Sequence, residues 1–279
     1  MNGAVLEVEG LVKLYGGRAA VEGLSFSASP GDILGLVGPN GAGKTTTMRT
    51  IAGVFPPSEG TVRVAGHDLR REPLEAKRRL ALVPDDPSLF ANLTVEEHLE
   101  FTAQVYGVAD WRPRADGMLR DLELTDRADS PASDLSRGMR QKVAIACAFL
   151  HAPSLLMLDE PLTGLDPRGI RTLYDLLRRR AAEGAAVVVS SHLLGQIEGL
   201  CTRFLILRAG RRLFLGTKEE IRAQLPALRD DASLEEIFFR ATEGGALGGD
   251  GAAAAPAATE ASAAPEPPPP RDPDRDAAP

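Results

Sequence analysis

Three things are scarce in this chain, and each scarcity removes a class of protein. Only 2 of its 279 residues are cysteine. That is too few for a disulfide framework, and Cys147 and Cys201 lie in apolar, helix-like contexts where a free thiol fills core space and binds no metal. No apolar run approaches the roughly 20 residues that a membrane-crossing helix needs. The N-terminus also lacks a signal-peptide pattern, so the expectation is a chain made and kept in the cytosol unless a partner tethers it. Positive charge is not in excess: the formal net charge is −7, which argues against nonspecific nucleic-acid binding. No internal repeat is visible either, so any site motif occurs once per chain.

The charge is unevenly placed. Residues 244–279 carry six acids and two arginines, so −4 of the −7 lies there. This segment is Ala, Pro and Gly with scattered acids, including Ala252–Ala255 and Pro267–Pro270. It buries too little apolar surface to offset chain entropy and is predicted to be a disordered acidic tail. Residues 1–243 are then the folded part.

What is present begins with residues 38–45, Gly-Pro-Asn-Gly-Ala-Gly-Lys-Thr, directly after the apolar run Ile33–Val37. A buried strand running into a glycine-rich turn and then a helix is the setting that gives Gly-x-x-x-x-Gly-Lys-Thr its chemistry. Gly38, Gly41 and Gly43 let the backbone of Gly38, Pro39, Asn40, Gly41, Ala42 and Gly43 fold tightly, with N–H groups turned inward on phosphate oxygens. The helix predicted to start near Lys44 adds the positive end of its dipole. Lys44 reaches β- and γ-phosphates, the Thr45 hydroxyl suits Mg²⁺, and Thr46 follows in the first turn.

The rest of the folded part alternates in period. Val5–Glu9 and Leu24–Ser27 alternate apolar with polar residues, as half-exposed antiparallel strands do. The helix after the glycine loop is predicted over about 44–54, then strands at Gly60–Val64 and Ala81–Val83. A polar, helix-rich stretch at about 88–150 opens with the capping box Thr94-Val95-Glu96-Glu97. Leu155–Leu158 is a continuous apolar strand of the parallel-sheet kind. Ile170–Arg180 reads as a helix, Val187–Val189 as a buried strand, and Phe204–Leu207 with Arg211–Leu215 as a hairpin turned at Ala209-Gly210. The segment Lys218–Arg240 is predicted helical, with an apolar stripe of Leu234, Ile237 and Phe238. Strands alternating with helices indicate a parallel α/β core.

A phosphate loop needs carboxylates for its metal and its water. Asp159 ends the Leu155–Leu158 strand and Glu160 follows at once. Adjacent carboxylates after a buried strand are costly unless they face a cation. Asp159 is placed to hold Mg²⁺ through a water and Glu160 to polarise an attacking water as general base.

Leu135-Ser136-Arg137-Gly138-Met139 lies about twenty residues before Asp159. With Gly38–Thr45, Leu155–Glu160, Gly164-Leu165-Asp166-Pro167 and His192 after Val187–Ser191, the chain over roughly residues 4–243 resembles the nucleotide-binding subunit of ABC transporters. The resemblance implies an α/β fold: a P-loop NTPase core with a parallel sheet, an N-terminal antiparallel β subdomain and an inserted α-helical subdomain. It implies that Tyr15 stacks on adenine, that Ser136, Arg137 and Gly138 are the signature facing ATP on a partner chain, and that Asp166 lies in the loop crossing between subunits. His192 matches the switch histidine at the γ-phosphate. Two ATPase subunits, identical or nearly so, then close head-to-tail over two Mg-ATP, driving a separate polytopic membrane subunit from the cytoplasmic face of the membrane.

Two positions depart from that family's pattern. The signature is usually Leu-Ser-Gly-Gly-Gln, and here Arg137 and Met139 replace its third and fifth residues. The glutamine that follows the Ala81–Val83 strand in the family corresponds to Asp85, a shorter and charged ligand for Mg²⁺. The Leu135–Lys142 and Ser190–Leu194 stretches resemble exporter subunits, whose cargoes are drugs, lipids, polysaccharides or peptides. An importer subunit or a soluble non-transport ATPase of the same family is the alternative. A single acidic cassette disfavours the translation ATPases, and the lack of a long heptad region disfavours the DNA-repair ones.

Overall fold

The computed structural model describes residues 3–224 and 232–243, so the acidic tail expected at 244–279 lies outside the described residues. The chain begins with strands β1 (Leu6–Tyr15), β2 (Arg18–Ala28) and β3 (Ile33–Val37), then helix α1 (Lys44–Ile51), β4 (Glu59–Val64), β5 (His67–Asp68), α2 (Pro73–Arg78) and β6 (Leu80–Val83). Helices α3 (Val95–Tyr106), α4 (Trp111–Asp121) and α5 (Arg137–Leu150) follow. Next come β7 (Leu155–Asp159), α6 (Pro167–Ala182), β8 (Ala186–Ser191), α7 (Leu194–Ile197), β9 (Arg203–Arg208), β10 (Arg211–Gly216), α8 (Lys218–Ala223) and α9 (Leu234–Glu243).

Two sheets form. The alternating N-terminal segments make an antiparallel sheet in the order β2-β1-β4-β5. The second sheet has the order β10-β9-β3-β8-β7-β6, parallel throughout except for the β9–β10 hairpin at its edge. In β3, β7 and β8 every residue is buried. Both faces are therefore covered, which is why those strands read as unbroken apolar runs. The period of two still sorts the side chains. Leu34, Leu36, Leu155, Met157, Val188, Leu205 and Leu207 pack toward the antiparallel sheet, with Leu6, Val8, Leu11 and Leu24. Ile33, Val37, Leu156, Leu158, Val187, Val189, Phe204 and Ile206 face the helices instead.

Local signals set the ends. Thr94 caps α3 with both halves of the capping box in place. Ala209 and Gly210 take φ of 48° and 78°, the left-handed pair that a two-residue hairpin needs. Leu234 and Ile237 are fully buried and Phe238 packs against the same core. Three details differ from the sequence reading. Helix α1 stops at Ile51. Helix α6 starts at Pro167, three residues earlier than Ile170, because Asp166 caps it and proline suits its first position. Cys201 lies past the end of α7, in the turn into β9, while Cys147 is within α5.

Candidate functional site

The parallel strands deliver the predicted residues to one sheet edge. The carboxyl ends of β3, β8, β7 and β6 are neighbours, and they lead respectively into Gly38, His192, Glu160 and Asp85. Open α/β sheets bind ligands at such an edge, where the strand order reverses direction. Here the loop after β3 forms a cavity of about 500 Å³, walled by Asn40 through Thr46, Asp85, Glu160, Thr163 and His192.

The loop's backbone is set by contact. Gly43 has φ of +99°, and a Cβ there would lie 2.6 Å from the Ala20 carbonyl oxygen. Gly43 also precedes α1 with no side-chain cap, and the first turn carries no acid. The N–H groups of that turn therefore remain available to an anion. Lys44 is buried, donating from Nζ to the Gly38 carbonyl at 2.8 Å and lying 3.9 Å from Glu160 Oε1. Burial pushes the Lys44 ammonium below its ordinary value, and the carboxylates of Glu160 and Asp159 pull it back up.

Glu160 is the hub. Its Oε2 accepts from His192 Nδ1 at 2.8 Å and from the His192 backbone N–H at 3.2 Å. Its backbone is left-handed, with φ of +47°, which costs a non-glycine residue on the order of 1–3 kcal/mol. The anchor holding it there is Ser190, which the sequence reading did not single out. Ser190 Oγ accepts from the Glu160 N–H at 3.0 Å and donates to Asp159 Oδ1 at 2.5 Å. The pairing of β7 with β8 sets Asp159 directly opposite Ser190, so only the strand order could have revealed the contact.

The remaining predicted residues lie off the cavity wall. Tyr15 ends β1 and is half exposed, its ring held edge-on to Phe55 with a centroid separation of 6.0 Å and Lys13 Nζ 5.1 Å above it. Ser136 caps α5, its Oγ accepting from the Met139 N–H at 3.3 Å. Asp166 likewise caps α6, accepting from Gly169 N–H at 2.8 Å. Gly138 is demanded inside the chain: a Cβ there would lie 2.4 Å from the Gly164 carbonyl oxygen. Arg137 reaches back to Asp85, Nη2 to Oδ1, at 3.2 Å.

Oxygen donors, an inward lysine and a capless helix start fit a triphosphate and a hard cation. Among the described residues there is no cluster of three or more His, Cys, Asp or Glu able to hold a metal alone. Mg²⁺ characteristically takes one or two carboxylates and completes its shell with phosphate and water oxygens.

A glycine loop between a buried parallel strand and a helix, backed by carboxylates from the adjoining strands, defines a P-loop nucleoside triphosphatase. Residues 21–163 match the ABC transporter family. The linearmycin resistance ATP-binding protein LnrL of Bacillus subtilis (strain 168) is 34% identical over 223 residues, covering 79% of this chain and 72% of that protein. The Nod factor export ATP-binding protein I of Ralstonia nicotianae is 36% identical over 219 residues, covering 78% of this chain and 68% of that one. A solved structure described as the ATP-binding subunit of an ABC transporter superposes with a TM-score of 0.82 at 37% identity, covering 85% of this chain and 99% of its own. The chain belongs to the ABC transporter family, as an ATP-binding subunit and an ATPase. Among the described residues no helix is long and apolar enough to cross a membrane.

Proposed function

We propose that this subunit powers an exporter by binding Mg-ATP between two copies, or a copy and a near-copy, beneath a polytopic membrane subunit at the cytoplasmic face. Export is favoured over import because two of its relatives are named for export and for resistance. The observation that carries the catalytic part is the Glu160 carboxylate, bonded to His192 and within ion-pair range of Lys44 across one cavity.

In this reading the α1 amino end and Lys44 bind the phosphates, and Tyr15 stacks on the base. Thr45 and Asp85, with Asp159 through a water, would hold Mg²⁺, which would supply charge neutralisation of the phosphates. Glu160 takes the proton of the attacking water. The His192 ring, donating from Nδ1, orients the Glu160 carboxylate. Ser136, at the head of α5, meets the nucleotide of the other subunit. Its hydroxyl caps α5 within its own chain, so the partner's phosphate adds to that role.

A groove between the β6 loop and α3, lined by Leu89, Phe90, Phe101 and Tyr106, offers the membrane subunit an apolar landing surface. Phe90 and Phe101 are each about half exposed there, as contact residues often are. Glu160→Gln tests the reading: with Mg-ATP it is expected to elute as a dimer in size exclusion while wild type does not. A monomer at high concentration, with nucleotide bound and the membrane subunit present, would refute it.

A further inference from the structure

Asp85 and Arg137 stand 52 positions apart, yet the structure joins them: the Arg137 guanidinium donates to the Asp85 carboxylate at 3.2 Å, with both side chains half exposed. Asp85 follows β6 and forms part of the phosphate-cavity wall. Arg137 is the first residue of α5, next to Ser136. The bond therefore ties the head of α5, in the layer formed by α3, α4 and α5 packing on one another, to the wall of the same chain's own nucleotide cavity. Two other ion pairs cross from that layer to α6 of the core, Asp121 with Arg179 at 3.1 Å and Glu123 with Arg168 at 2.7 Å. Neither of those has a member on the cavity wall.

We propose that Asp85 and Arg137 form a latch thrown by the metal: one carboxylate serves either the guanidinium or Mg²⁺, and Mg-ATP binding releases the head of α5 and Arg137. The inference rests on the Mg-ATP reading above. A hard divalent cation seeks oxygen ligands, and Asp85 shares the cavity with Thr45 and Glu160. Both states draw on the same carboxylate charge, so each weakens the other by the same factor. A glutamine at position 85 could ligate the metal but not form the ion pair, and a glycine at 137 leaves nothing to hold. The two departures from the family pattern thus make together a contact that neither makes alone. Arg137 is in this sense a positioning residue for Ser136.

An exposed ion pair sets the size of the effect at about two- to fivefold in an equilibrium constant. Calorimetric titration of the full chain with the analogue AMP-PNP, at protein concentrations where it remains monomeric, provides the test. Arg137→Gly is expected to tighten AMP-PNP binding by about two- to fivefold with Mg²⁺ and to leave it unchanged in EDTA. The tightening should vanish in an Asp85→Gln background and should not occur in Arg179→Gln. In thermal unfolding, the cycle of Asp85→Gln and Arg137→Gly should show coupling without nucleotide and none with saturating Mg-AMP-PNP. An equal shift with and without metal overturns the latch, as does no shift, or coupling that survives Mg-AMP-PNP. Wild type that is folded but binds no Mg-AMP-PNP at all removes the nucleotide reading itself, and the latch with it.

Discussion

Ser190→Ala is the most informative single change outside the motifs. The serine is fully buried, and its hydroxyl serves two groups at once, donating to Asp159 and accepting from the backbone of Glu160. A hydrogen bond to a charged group is worth about 1.5–3 kcal/mol, and an unpaired buried N–H costs about 1–3. Taking the low end of each gives about 2.5 kcal/mol of stability. For a domain of this size that lowers Tm by about 5–10 °C. Catalysis should suffer separately. Glu160 holds a left-handed backbone with φ of +47°, and without its anchor that conformation relaxes. A shift of its carboxylate by about 1 Å costs on the order of a hundredfold in kcat. Differential scanning fluorimetry and a phosphate-release assay read the two effects. Ser191→Ala is the control. Its Oγ accepts from the Leu193 N–H at 2.9 Å, so a loss of about 1 kcal/mol is expected. If Ser190→Ala melts within about 2 °C of wild type and keeps its turnover, the anchoring role is wrong.

Two further outcomes follow from groups beside or away from that anchor. Tyr15→Ala should weaken ATP binding about 5- to 100-fold and Tyr15→Trp should preserve it, since a base–aromatic stack is worth about 1–3 kcal/mol; equal affinities by calorimetry would remove Tyr15 from the site. Burial raises the thiols of Cys147 to about 11 and Cys201 to about 12, from an ordinary 9.0. A raised thiol pKa means less thiolate, and both thiols are only partly exposed, so at pH 8 iodoacetamide should label each cysteine far more slowly in the folded chain than in denaturant, with equal rates counting against their burial.

The sequence-to-structure relation divides along contact range. Features written within a few residues were legible: the Thr94–Glu97 capping box, the Ala209-Gly210 hairpin turn, and the glycine loop between β3 and α1. Their geometry is closed by neighbours in the chain. The alternation of apolar residues also told strands from helices, because burial on one or two faces leaves a period. What stayed hidden depends on which strand lies beside which. Ser190 meets Asp159 only because β8 pairs with β7 in one register. Arg137 meets Asp85 only because α5 returns to the end of β6. Ser136 and Asp166 were read for what they present to another subunit, whereas within the chain both hydrogen-bond as helix caps. Capping needs nothing beyond the next three residues, so that role is legible from Ser136–Met139 and Asp166–Gly169 alone.

Gly138 puts the same distinction to a direct test. The family resemblance explains a small residue there by the approach of the other subunit's phosphate. The structure supplies a second reason that operates in a single chain, the Gly164 carbonyl oxygen lying 2.4 Å from where a Cβ would stand. Both contacting groups are backbone, so no side chain can swing away. Gly164 itself holds φ of +83°, which limits how its loop can yield. Either the head of α5 lifts or the Gly164–Asp166 loop moves, at about 1–3 kcal/mol for overpacking of this kind. Gly138→Ala should therefore lower the Tm of the nucleotide-free monomer by about 2–12 °C, and in the Glu160→Gln background it should also diminish the ATP-dependent dimer, because the displaced elements are the two proposed to face the partner. If phosphate approach were the only reason for the glycine, the dimer would fail while the monomer melted as wild type does. Unchanged melting would therefore reject the intrachain contact as the constraint, whatever the dimer does.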